Sequence, residues 1–279
     1  MRKIFWIFTL SLALAAGCTE KIDIQLDDTY ERLVVYGIIT NDTGTHYIGL
    51  TKTTSYYYNE APPAVTGADV EISDDQGHTV TLTEVEPGKY ATPPMYYGIA
   101  GRTYTLDINL HDAIDGNKHY TAVTGMNPIG KIDSIGLVPR PDWGEKGFYE
   151  VTCYYQDPPT KDFYLFNIYK NGELLTDSLS KIIISSDDFY NGSYTNGIGV
   201  GYLDQSKESE IVNVGDTITF EGGDITEDYY NFILAAQTES GFQTPLFSGP
   251  PANVKGNISN GAVGFFAAYS VTRSSKIVK

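Results

Sequence analysis

The sequence predicts a mainly β protein with two β-sandwich domains and one amphipathic helix near the C-terminus. Short apolar runs alternate with turn residues along most of the chain, as in sandwich proteins. The 279 residues include 22 tyrosines, and aromatic residues favour pleated, half-buried surfaces. A helical apolar period occurs near the end, so we expect one helix there.

The first residues have the order of a secretion signal, with a basic start, an apolar segment and small residues before a cysteine. The string "AAGC" resembles a bacterial lipobox, whose cysteine is acylated once the preceding segment is removed. We therefore expect residues 1–17 to be a lipoprotein signal peptide, Cys18 to carry lipid, and residues 18–32 to form a tether to the outer-membrane bilayer. The alternative is an ordinary signal peptide cut near Ala16.

The N-terminal sandwich domain is expected over residues 33–127. Its apolar runs include "LVVYGIIT", "HYIGLTKT" and "GRTYTLDINL", and turn residues separate them. The string "DDQG" between two alternating runs predicts a hairpin turn.

Two tyrosine-rich loops lie between these strands, at residues 53–63 and 92–101. Consecutive tyrosines cannot all face a core, so some of them should be exposed. Exposed rings would form a platform for sugar rings or peptide side chains; the alternative is that the rings cover the sandwich edge and each other. The candidate ligand-binding residues are Tyr56, Tyr57, Tyr58, Tyr96 and Tyr97.

The string "MNPIGKIDS" places a domain boundary near Pro128, so the second sandwich domain is expected over residues 128–279. In its strand "FYEVTCYY", Cys153 is expected to be a small core residue and not a nucleophile. In "FYLFNIYKNG", the "NG" predicts a hairpin turn. The Gly-, Asn- and Tyr-rich string at residues 185–202 has no clear period and is expected to be a long surface loop.

Near the end, apolar residues at helical spacing predict a helix over about residues 225–238. Asp224 followed by Glu227 fits its start, and Gly241 fits its end. The apolar stripe is expected to pack on the second sandwich, and binding of a partner is the alternative. The stripe comprises Ile225, Tyr229, Phe232, Ile233 and Ala236.

The chain carries no recognisable catalytic motif. Its four histidines have no metal-ligand spacing, and it has no nucleophile elbow or phosphate-binding loop. The string "HDAIDGN" offers oxygen ligands without the full calcium-loop spacing, so a polar hairpin turn is expected. Asp187 and Asp188 are adjacent, which does not place two carboxylates across a scissile bond. We expect no enzyme activity, no cofactor and no metal site, and the net charge of −16 disfavours nucleic acid as a partner.

Strings along the chain carry a resemblance to a known family. They are "GADVEISDDQGHTVTL", "PGKY", "GIAGRTYTLDI" and, as the most specific, "PLFSGPPANVKGNISNGAVGFFAAYSV". From Cys18 to about Val271 the chain resembles the domain-of-unknown-function 4249 family, lipoproteins of Bacteroidota. The resemblance implies a transthyretin-like or Ig-like first domain and a gene neighbourhood with a TonB-dependent outer-membrane receptor, and it transfers no catalytic residue.

Two further expectations follow from what is known of that phylum. Acidic residues after the lipidated cysteine can direct a lipoprotein to the cell surface. Glu20, Asp23, Asp27 and Asp28 follow Cys18 here, interrupted by Lys21 and apolar residues, and they favour surface exposure. Three strings, "DSI", "DSL" and "DTI", are similar to the O-glycosylation pattern of the phylum, although each could equally begin a strand. They would place glycans on Ser134, Ser178 and Thr217.

We therefore expect a surface-exposed outer-membrane lipoprotein that acts as a non-enzymatic accessory or ligand-capture component of a TonB-dependent uptake system. Its partners would be the bilayer through acylated Cys18, a TonB-dependent receptor, and a glycan or peptide ligand. The alternative is a surface adhesin or envelope-scaffold module without a small-molecule ligand.

Overall fold

A computed structural model describes residues 31–54, 61–241 and 254–279. The predicted signal peptide, Cys18, the tether up to residue 30, and Tyr56, Tyr57 and Tyr58 lie outside the described residues. The described part consists mainly of β-strands with one α-helix, α1 (Glu227–Ser240), which confirms the predicted fold class. None of its helices is long and apolar enough to cross a membrane.

Strands make up most of the regular structure in the described residues. Those before residue 128 are β1 (Leu33–Thr40), β2 (Tyr47–Lys52), β3 (Asp69–Asp74), β4 (Thr79–Thr81), β5 (Thr83–Glu86), β6 (Lys89–Ala91), β7 (Thr103–Ile114) and β8 (Asn117–Gly125). Those after it are β9 (Ile132–Arg140), β10 (Phe148–Tyr155), β11 (Phe163–Lys170), β12 (Glu173–Leu174), β13 (Ile183–Ser186), β14 (Ile198–Asp204), β15 (Thr217–Ile225) and β16 (Val263–Ile277), with α1 at Glu227–Ser240.

A nine-stranded sheet joins the two halves of the chain. Its order is β12-β11-β15-β16-β1-β2-β6-β5, and β13 also pairs with β11. The last strand, β16, lies parallel to β1 on one side and antiparallel to β15 on the other. The predicted domain boundary near Pro128 falls between β8 and β9, and residues from Glu31 to Lys279 form one compact unit. The division into two domains stays a prediction.

The parallel pair of β1 and β16 depends on a glycine. Gly264 lies opposite Val35 and has a φ of 102°, in the region that side chains disfavour. A Cβ at Gly264 would lie 1.9 Å from the carbonyl oxygen of Val35. The two backbones can therefore approach this closely only because residue 264 has no side chain.

The first core lies between the β4-β3-β7-β8 sheet and the β1-β2-β6 part of the large sheet. Alternate residues of β1 are buried, as the two-residue period of a strand requires. Leu33 and Val35 pack in one cluster with Ile72 of β3 and Leu106 of β7. Burial of each such side chain contributes about 1.5–3 kcal/mol.

Strand β11 separates two further cores because its side chains alternate between faces. Phe166 and Ile168 join the core formed with the β14-β10-β9 sheet, whereas Phe163 and Leu165 face the core beneath α1. Cys153 of β10 is fully buried in the core formed with the β14-β10-β9 sheet, which confirms the predicted core position. Burial raises the pKa of its thiol to about 12, so the reactive thiolate is strongly disfavoured.

The helix α1 packs its buried residues Tyr229 and Ile233 on the sheet. Its predicted start was wrong by two residues. Thr226 caps the helix and accepts a hydrogen bond from the Tyr229 N–H at 3.3 Å, whereas Asp224 belongs to β15. The side-chain oxygen of a threonine can cap a helix as that of an aspartate does, so Thr226 and Asp224 are competing start signals in this sequence. The predicted end at Gly241 is confirmed.

The predicted surface loop at residues 185–202 was also partly wrong. Strand β13 extends into its beginning, and β14 starts at Ile198. Glycines of β14 hid the strand period; at Gly201, a Cβ would lie 2.3 Å from the Ile168 side chain. The predicted hairpin turns are confirmed between β3 and β4, between β7 and β8, and between β11 and β12.

A candidate ligand pocket beside Tyr96 and Tyr97

A surface pocket of about 330 Å³ lies where the β3–β4 turn meets the loop that precedes β7. Its volume falls within the range of about 300–1,000 Å³ that small-molecule sites occupy. Two of the predicted ligand-binding residues, Tyr96 and Tyr97, line it. The rest of the wall combines apolar side chains with a charged cluster: Ile72, Val80, Ile99, Tyr104, Thr79, Asp74, His78 and Arg102.

The charged cluster is centred on Asp74, the last residue of β3. Its Oδ2 accepts a hydrogen bond from Nη1 of Arg102 at 2.5 Å, and its Oδ1 lies 3.1 Å from Nδ1 of His78. The same Oδ1 accepts the backbone N–H groups of Gln76 and His78, each at 3.0 Å. An aspartate that bonds the backbone two residues on stabilises a tight turn, so one side chain both closes the β3–β4 turn and orients the pocket.

These contacts keep Asp74 ionised. Burial alone would raise the pKa of this carboxyl, but the donors from the His78 backbone, Arg102, the His78 ring and the Gln76 backbone outweigh burial and lower the pKa to about 2. At neutral pH the pocket therefore holds a carboxylate paired with a guanidinium. The pair carries little net charge.

The two pocket tyrosines differ in their surroundings. Tyr96 is half-buried, its ring lies edge-on to His46 with the centroids 5.8 Å apart, and its carbonyl accepts the N–H of Gly44 at 2.9 Å. Burial raises the pKa of Tyr96 well above its usual value. Tyr97 keeps 52% of its surface exposed. Of the two rings, Tyr97 offers the larger stacking surface.

The chain matches the family model described as "Domain of unknown function (DUF4249)" over residues 19–275. The chain belongs to the DUF4249 family. This match confirms the family resemblance that the sequence strings indicated. None of the curated proteins matches the chain.

The pocket of this DUF4249 protein has the groups of a binding site. Arg102 has more N–H donors than the one directed at Asp74, and Thr79 and His78 can donate or accept hydrogen bonds. Tyr97 lines the pocket with them and is exposed, so its aromatic ring is available for stacking. Together these groups can hold a ligand that combines hydroxyl or carbonyl oxygens with a flat apolar surface.

The candidate glycosylation residues of this DUF4249 protein lie elsewhere. Ser134 is exposed on β9, and Ser178 is exposed just before a short helical turn at Leu179–Lys181. Thr217 is half-buried as the first residue of β15. Modification at the three positions stays a prediction.

Sequence reasoning missed the charged side of the pocket. The "DDQG" string indicated the turn that contains Asp74, but Arg102 is distant along the chain and carries no motif. It also treated Asp187 only as the neighbour of Asp188. In the structure Asp187 is buried beside Asp157 and Asp162, whereas Asp188 is exposed.

Proposed function

We propose that this DUF4249 protein is a non-enzymatic ligand-capture lipoprotein and that the pocket beside Tyr96 and Tyr97 binds its ligand. One observation carries the proposal: the exposed Tyr97 and the Arg102–Asp74 ion pair line the same pocket. Aromatic stacking fixes the plane of a ligand, and the planar charged groups fix its hydrogen bonds.

The chemistry of the pocket favours a saccharide over a charged peptide. Because Asp74 and Arg102 neutralise each other, the pocket offers no large net charge to attract an ionic ligand. A sugar has one face of C–H groups for Tyr97 and hydroxyl groups for the remaining donors of Arg102. Tyr56, Tyr57 and Tyr58 remain candidates for further contacts.

We further propose that the protein works at the outer-membrane surface as an accessory of a TonB-dependent uptake system. The family resemblance and the lipobox at Cys18 support this proposal. An acyl anchor at Cys18 would confine the protein to the plane of its receptor, which raises the effective concentration of captured ligand without any new contact.

The uptake role is tested by affinity purification of the lipidated protein from its own outer membrane in mild detergent, followed by mass spectrometry. A TonB-dependent receptor recovered in stoichiometric amount is the expected result. Recovery of the protein alone, in repeated and crosslinked trials, would contradict the uptake role and favour the adhesin or scaffold alternative.

A further inference from the structure

Three aspartate side chains converge at the ends of three strands. Asp157 lies shortly after β10, Asp162 just before β11 and Asp187 just after β13. They are 1%, 8% and 0% exposed, respectively. One ligand oxygen from each carboxylate lies within 4.8 Å of the other two. The fold thus buries three carboxylates from separate segments in one place.

Two of these carboxylates are held by donors from the surrounding protein. Asp157 accepts the hydroxyl of Tyr164 at 2.8 Å through Oδ1 and the N–H of Gly192 at 3.0 Å through Oδ2. Asp162 accepts the hydroxyl of Thr160 at 2.9 Å through Oδ2. These bonds fix the orientation of both side chains.

Asp187 has one oxygen without a donor. Its Oδ2 accepts the backbone N–H of Asp162 at 3.0 Å, but its Oδ1 has no hydrogen-bond partner among the described residues. Asp187 is completely buried, and a buried polar atom without a partner costs about 1–3 kcal/mol. Such an atom in a native structure requires an explanation, and a bound ion is one of the usual ones.

The negative charge of the cluster also favours a bound cation. The three carboxylates are buried and offer oxygens within 4.8 Å of one another, so little water separates their charges. Burial raises the pKa of Asp224, which is 2% exposed, to about 7, with smaller contributions from the three aspartates. Lys161 interacts electrostatically with Asp187, but its ammonium group bonds to Glu227 at 2.9 Å. The carboxylates therefore repel one another in a site shielded from water.

We propose that Asp157, Asp162 and Asp187 form a calcium site that ties together the ends of β10, β11 and β13. Calcium takes oxygen ligands at about 2.3–2.6 Å, so two ligands on opposite sides of the ion lie about 5 Å apart. The spread of the three oxygens, within 4.8 Å, fits this separation. Backbone carbonyls or water would complete the usual coordination number of about 6–8. The sequence predicts no metal site here because the three residues follow no calcium-loop spacing.

Thermal unfolding of the full chain, after treatment with EDTA and then with added calcium chloride, tests the site. Calcium should raise the melting temperature by about 5 °C or more at about 100 times the dissociation constant. Asp187→Asn should abolish the shift, because it replaces the free oxygen with an amide yet retains an oxygen that can accept the Asp162 N–H. Asp188→Asn is the matched control: it removes the same charge from the adjacent, exposed residue and should leave the shift unchanged.

A second measurement reports binding without relying on stability. Terbium(III) substitutes for calcium in oxygen sites, and the hydroxyl of Tyr164 bonds directly to Asp157, so excitation of tyrosine should produce terbium luminescence that calcium displaces. Asp187→Asn should lose this signal and Asp188→Asn should keep it. The proposal is overturned if calcium causes neither a thermal shift nor displacement of terbium, if magnesium alone causes the shift, or if Asp188→Asn loses the response as fully as Asp187→Asn.

Discussion

Arg102 and Asp74 form an ion pair within the wall of the pocket, with Nη1 and Oδ2 2.5 Å apart. Their side chains are 24% and 5% exposed, so water screens the pair only weakly. The pair links the end of β3 to the residue before β7 and holds the guanidinium against the pocket. The same contact therefore supports both the fold and the proposed ligand site.

Replacement of Asp74 by asparagine should weaken both the fold and the proposed ligand site. Asp74→Asn removes the charge that pairs with Arg102 and leaves a poorer acceptor for the turn, which should cost about 1–3 kcal/mol in the free energy of unfolding. Urea unfolding measures this cost. Asp75→Asn is the matched control, because Asp75 is exposed in the same turn and lies outside the pocket lining. An equal loss of stability in the two variants would contradict the structural role of Asp74.

The pH dependence of stability should carry the signature of Asp74. Its pKa of about 2 in the folded protein lies below the unfolded value of about 3.9, so the unfolded chain binds the proton more readily. The stabilisation is therefore complete above the unfolded value and is lost as the pH falls through about 2. The difference in stability between wild type and Asp74→Asn should be constant above about pH 5 and shrink below about pH 4. A difference that grows with acidification would contradict the account.

Sequence patterns predicted the parts of this fold that depend on local periodicity. The alternation in "FYEVTCYY" identified Cys153 as a core residue, and the end of α1 at Gly241 followed from its capping signal. Turn residues likewise located the hairpin between β11 and β12. In each case, the residues that determine the structure lie within a few positions of one another.

Apart from the start of α1, where two local capping signals compete, the parts that the sequence did not reveal depend on contacts between distant segments. No local pattern pairs β1 with β16, because the match of Val35 with Gly264 is decided by how closely two backbones approach. The charged cluster of the pocket could not be predicted from the sequence for the same reason, since Arg102 meets Asp74 only after β3 and β7 have paired. Tyr96 and Tyr97, which line the pocket, could be chosen as candidates because adjacent aromatic residues are visible in the sequence, whereas their charged neighbours are not.

Substitution of Gly264 should disrupt the central sheet. Gly264→Ala would place a Cβ 1.9 Å from the Val35 carbonyl oxygen at a φ of 102°, and should cost about 3 kcal/mol or more. Gly116→Ala is the control, since Gly116 also has a positive φ, of 75°, but a Cβ there would meet nothing within 4 Å. It should cost only about 1–2 kcal/mol. Chemical denaturation of both variants checks the prediction, which fails if the two costs are equal.

A titration monitored by NMR chemical shifts tests the ligand-capture function most directly. The protein is titrated with a panel of neutral oligosaccharides, uronic-acid oligosaccharides and short peptides. We predict that a neutral oligosaccharide binds and shifts resonances of pocket residues, and that Tyr97→Ala weakens its binding about 2- to 10-fold through loss of stacking. Tyr202→Ala, which removes a tyrosine that is 48% exposed on β14, should bind like wild type. Binding that shifts no pocket resonance, or that is unaffected by Tyr97→Ala, would contradict the account.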